Sequence, residues 1–256
     1  MTEEKLLTVD VSHGVATLTL DSPANRNALS RAMRSQLRAA LTDALADDGV
    51  RVVVLDHTGR VFCSGMDLSE AAGSGAEDQG VREFPELLSI IWSAAKPVVA
   101  VVRGPARAGG VGLLAACDVV VAGASATFAF SEVRLGVVPA VISAVVLPRM
   151  VPHVAHRLML TGQVFDAETA ARGGLVDLVV PDADVDGEVR AQLVHLTAGA
   201  PSALAATKRL LRARNPDLRF DDLLELSARF FAGEEGQEGI AAFREKRPAR
   251  WVPTTG

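Results

Sequence analysis

"GPARAGGVGLLAACD", residues 104–118, carries four glycines in its first nine positions and then turns apolar. A backbone that bare lets another segment or a ligand come close, and the apolar run behind it reads as a buried helix. On either side, "PVVAVV" (97–102) and "DVVVAG" (118–123) are short β-branched runs bounded by turn residues, the pattern of strands covered on both faces. Strand, glycine stretch, helix and strand in quick succession point to an α/β core with parallel pairing.

The same alternation continues outward. "RVVVLDHTG" (51–59) reads as another buried strand, "ATFAF" (126–130) as a further one, and 81–94 as a helix. Over 31–46 the residues Met33, Leu37, Leu41 and Leu45 recur every four positions, an amphipathic helix with Ser30 as N-cap. Residues 6–20 alternate apolar and polar as a strand does. "SEAAGSGAEDQG" (69–80) is small and polar, a surface loop under which a ligand can approach. After Pro139 the pattern is mainly helical, over 143–160, 166–172, 187–198, 201–213, 221–233 and 234–246, with one short strand in "LVDLVV" (175–180).

Composition limits the function. A chain of 256 residues, 49% hydrophobic and 22% charged, buries a full core. A net charge of -5 argues against nucleic-acid and membrane-surface partners, which call for a basic face. The first twenty residues lack the layout of a secretory signal, and the longest apolar runs fall short of the roughly 20 residues of a membrane span; a cytoplasmic location is expected. Cys63 and Cys117, each in apolar context, read as buried thiols. His153 and His156 lack an acid ligand or a third histidine beside them, so no metal site is expected. No G-x-S-x-G elbow and no G-x-G-x-x-G loop occurs.

Three stretches carry the chemistry together: "RVFCSGMDL" (60–68), the glycine stretch, and "FAFSEVRLGVVPA" (128–140). With "NRNALS" (25–30) ahead and "AAFREKRPARW" (241–251) behind, their order resembles the crotonase family, the enoyl-CoA hydratases and isomerases. The resemblance implies an α/β fold with a ββα spiral core over 1–198 and a C-terminal helical region over 199–256 that builds homotrimers, sometimes paired into hexamers. It implies an acyl-CoA substrate, with coenzyme A as part of that substrate and no metal or redox cofactor. The thioester oxygen would sit on the backbone N–H groups of Met66 and Gly109, with Gly65 and Gly110 beside them. If Gly109 opens a helix, the positive end of the dipole also faces that oxygen. Arg26 and Ser64 would frame the coenzyme A headgroup, Phe243 and Lys246 would reach it from a neighbouring subunit, and Ser131 and Ala140 would shape the acyl pocket.

Family hydratases commonly use two glutamates. Here Gly112 stands where the first would be, and Glu132 keeps the second. A carboxylate in an apolar pocket rises toward the working range for proton transfer, so Glu132 is the expected general acid/base. "SEVRLGVVPAVIS" (131–143) looks most like hydratase-type members acting on branched-chain or methylglutaconyl-CoA-like thioesters, which ranks a hydratase first. A single acid also suits a one-base Δ3,Δ2-enoyl-CoA isomerase, which needs one carboxylate to remove a proton and return it elsewhere. A binding protein with little catalysis is the third reading.

Overall fold

The computed structural model describes residues 4–71, 83–213 and 219–253. Its main sheet has six strands in the order β1 (Leu7–Ser12), β2 (Val15–Leu20), β3 (Val52–His57), β4 (Val98–Val102), β6 (Val119–Gly123) and β9 (Leu178–Val180). From β2 to β9 every neighbouring pair is parallel. The first pair is antiparallel: the alternating stretch 6–20 is a hairpin, reversed at His13 and Gly14, both with positive φ (50° and 76°). A small second sheet joins β5 (Ala106–Arg107), β7 (Thr127–Ala129) and β8 (Phe165–Asp166).

The β-branched runs are central because they are buried on both sides. Val53 and Leu55 join the large core, while Val52 and Val54 face a second cluster with Val99, Val101 and Val121 under α8 (Val185–Ala198). Against the first face lie α1 (Arg31–Ala46), α3 (Glu83–Ser93) and α4 (Gly109–Ala116). The Ser30 side chain accepts the Met33 N–H and starts α1. All eight residues of α4 are buried, which explains a helix apolar on every side.

Between these elements α2 spans Leu68–Ala71, and the rest of the expected 69–80 loop lies outside the described residues. The helix expected over 143–160 is two, α5 (Ala140–Arg149) and α6 (Pro152–Thr161). The chain leaves helical geometry at Met150, and Pro152, with no N–H to donate, opens the next helix. After α6 come α7 (Ala167–Arg172), then α8, α9 (Pro201–Arg212), α10 (Phe220–Ala232) and α11 (Glu234–Glu245).

The C-terminal helices are tied to the sheet by charge. Asp118 accepts from Lys208 Nζ at 2.6 Å and Arg212 Nη2 at 2.7 Å, and the Arg212 guanidinium lies 3.7 Å over the Trp92 ring. Trp251 Nε1 donates to Ala198 O at 2.9 Å, folding the tail back. Both cysteines are buried and free, and burial pushes each thiol up to about 12. His153 and His156 are exposed on α6. Among the described residues no helix is long and apolar enough to cross a membrane.

Candidate active site

The Met66 segment is gripped from two sides. On one, Leu29 N donates to Gly65 O at 2.8 Å and Leu29 pairs with Met66; on the other, Cys63 pairs with Ala106 and Arg107 N donates to Cys63 O at 3.0 Å. Glycine is needed at both crossings. At Gly65 φ is +92°, and a Cβ there would lie 3.3 Å from Gly109 N; at Gly110 it would lie 2.6 Å from Cys63 O. The residue before Met66 therefore rests against the nitrogen of Gly109.

Ala108 aims that nitrogen. Its φ of 47° and ψ of -117° are sparsely populated for a residue with a Cβ. Its N–H bonds to Ala129 O at 3.0 Å, and its carbonyl accepts from Val111 N and Gly112 N, which launches α4. The Met66 and Gly109 N–H groups have no protein acceptor among the described residues. For buried Gly109, an unmet donor costs about 1–3 kcal/mol, so the arrangement is not explained by stability. Leu29 Cδ1 and Phe84 Cζ both lie 3.3 Å from the Cβ position of Gly109, giving the pair an apolar surround.

Glu132 arrives through β7. The register sets Arg107 opposite Ala129, and three residues later Glu132 enters a 3-10 turn, Ser131–Leu135, closed by Gly136 in the left-handed region. The Glu132 residue is 9% exposed, and its Oε2 is buried without a hydrogen-bond partner among the described residues. Burial raises its carboxyl above the ordinary value of 4.5, opposed by its own backbone N–H. Arg134 does not pair with it; its Nε donates to Thr161 O at 2.9 Å.

The place of the missing acid is filled. A Cβ on Gly112 would meet Ile142 Cγ2 at 2.5 Å and Phe84 Cζ at 3.5 Å. Of the other expected residues, Arg26 and Ser64 are joined, Ser64 N donating to Arg26 O at 3.1 Å, and half-buried Ser131 precedes Glu132. Ala140 is exposed at the start of α5. Phe243 is 86% exposed near the end of α11 and Lys246, also exposed, ends that helix in the left-handed region; among the described residues no side-chain hydrogen bond or ion pair ties either to the site. Ala108, Leu29, Phe84 and Ile142 are site residues that motif reading passes over. Only Gly112, a glycine inside an apolar helix, signals the close approach of Ile142.

The family model described as Enoyl-CoA hydratase/isomerase matches residues 10–253. The chain belongs to this family. A relative from Rhodobacter capsulatus named "Probable enoyl-CoA hydratase" is 41% identical, over 95% of this chain and 96% of its own. An enoyl-CoA hydratase structure from Mycobacterium avium is 42% identical, covering 97% of this chain and 99% of that one with a TM-score of 0.75. Pseudomonas aeruginosa AtuE, 38% identical over 97% of this chain and 100% of its own, superposes with a TM-score of 0.91. The α/β architecture, with helices following the sheet, is that of the crotonase enzymes of the enoyl-CoA hydratase/isomerase family.

Proposed function

We propose that this member of the family holds an acyl-CoA thioester with its carbonyl oxygen on the Met66 and Gly109 N–H groups and uses Glu132 as its one proton-transfer group. The observation that carries the reading is the buried, unpartnered Oε2 of Glu132, on a segment that follows the strand bonded to Ala108. Two preorganised donors match the charge that develops on the oxygen of a thioester enolate, and each such donor is worth about 2.7–4 kcal/mol.

Hydration is the first reading, in keeping with the names of the R. capsulatus and M. avium relatives. The Glu132 carboxylate takes a proton from water as the water oxygen bonds C3, and the C2=C3 pair moves into the enolate. Glu132 then returns that proton to C2, so one water is added and the carboxylate is regenerated. Isomerisation is the second reading, favoured by the Ile142 side chain over Gly112. Here Glu132 takes a proton from C2 of a 3-enoyl thioester and returns it to C4, moving the double bond to C2=C3. Branched or methylglutaconyl-like acyl groups are the proposed substrates, with coenzyme A entering as part of the substrate and a homotrimer, or a hexamer built from two, as the assembly.

Incubation with crotonyl-CoA and with a 3-enoyl-CoA in heavy water, followed by mass, separates the readings. A hydrated, deuterated product supports the first, and a 2-enoyl product from the second substrate alone supports isomerisation. Glu132→Gln is expected to lower turnover by about 10²–10⁴-fold with acyl-CoA binding retained; full turnover in that variant removes Glu132 from the chemistry.

A further inference from the structure

Arg34 lies on the buried stripe of α1 among Met33, Leu37 and Leu41, where helical periodicity calls for an apolar residue. Its side chain is 2% exposed. Nη1 donates to Leu29 O at 2.6 Å and lies 3.6 Å from Glu70 Oε2, and Nε pairs with Glu83 Oε2 at 3.2 Å. Nη2 is buried with no hydrogen-bond partner among the described residues. A guanidinium this deep with a donor unused is a poor stabiliser, since an apolar side chain of similar volume avoids the desolvation.

What Arg34 reaches explains it better. Leu29 is the residue that bonds Gly65 O, pairs with Met66, and sets its Cδ1 3.3 Å from the Cβ position of Gly109. Glu83 opens α3 and is followed by Phe84, whose Cζ lies 3.3 Å from that same position. One cation therefore holds the segment that backs Met66 and the helix whose ring flanks Gly109.

We propose that Arg34 is a positioning residue for the thioester carbonyl, setting the relative direction of the Met66 and Gly109 N–H groups through Leu29 and α3. The inference rests on the oxyanion reading of those two amides. Hydrogen bonds weaken steeply as their angle closes, and a displacement of about 1 Å at a reacting group costs on the order of 10²-fold in rate.

The test follows the carbonyl itself. Butyryl-CoA carrying carbon-13 at its thioester carbon is bound to the enzyme, and the carbonyl stretch is read by isotope-edited infrared difference spectroscopy beside kcat and KM on a turned-over thioester. The wild-type protein is expected to lower the stretch on binding. Arg34→Met is expected to lose part of that shift and roughly 10–100-fold in kcat with KM little changed, and Arg34→Lys, which keeps a charge without the fork, to recover part of both. An unchanged shift and kcat in Arg34→Met, with the wild-type shift present, overturns the role of Arg34 alone. No shift in the wild-type protein overturns the oxyanion reading, and this role with it. Should Arg34→Met fail to fold, Glu83→Gln, at a half-exposed partner, carries the test: a smaller loss of shift and kcat supports the role, and wild-type values refute it.

Discussion

Glu132 is held in a position that works against the stability of the chain. Its carboxyl is raised by burial, so the folded state binds its proton more tightly than the unfolded state does. For a raised group, the favourable contribution is full below the unfolded value near 4.5 and is lost as pH rises through the higher folded value. At neutral pH and above, the buried charge is a cost. Glu132→Gln removes it, so the variant is expected to melt higher than the wild-type protein at pH 8, with the difference shrinking toward pH 4; thermal scans across that range check it. The acid limb of kcat/KM should likewise lie above the ordinary glutamate range. Glu132, Met66 and Gly109 stand in motifs that mark them as candidates in the sequence, and the structure buries the first and leaves the N–H groups of the other two without a protein acceptor among the described residues. Ala108 was not legible: nothing in an alanine announces a φ of 47°, which only its bond to Ala129 and the start of α4 enforce. Arg34 was hidden for another reason: it lies on the buried stripe of α1, and nothing local in the sequence announces that Leu29 O and Glu83 meet its guanidinium there.

Among elements, the decisive contact is the crossing of α4 with the segment 63–66. Gly110→Ala places a methyl 2.6 Å from Cys63 O, a backbone atom that cannot rotate aside. The helix must retreat and carry Gly109 N with it. The variant is expected to lose about 1–3 kcal/mol of stability in urea unfolding, together with turnover, while acyl-CoA binding through more distant contacts falls less. The elements of this region were readable from their patterns: β-branched runs gave the central strands, and the four-residue spacing with Ser30 gave α1. The hairpin at His13–Gly14 and the break between α5 and α6 were not, because alternation and helical periodicity run across both turns. The two-residue strand β8 is too short to leave any periodic trace.

For the molecule as a whole, Asp118 is where the sheet meets its C-terminal helices. It accepts from Val98 N, Lys208 and Arg212, and Lys208 is buried at 8% exposure. Asp118→Asn strands that ammonium without a full counter-charge and is expected to cost about 3–5 kcal/mol, read as a lower urea midpoint and faster amide exchange along α9. The helical character of the C-terminal quarter was evident in the sequence, but this anchor joins residues ninety positions apart and has no local signature. The same tight interior shapes what the enzyme can become. A glutamate at 112 meets the Ile142 methyl unless residue 142 shrinks, whereas Ile142→Ala alone leaves a cavity costing about 2–5 kcal/mol. Each single step therefore carries a packing penalty that the paired change is expected to reduce, which sets a barrier between the interior built on Gly112 and one with an acid at that position.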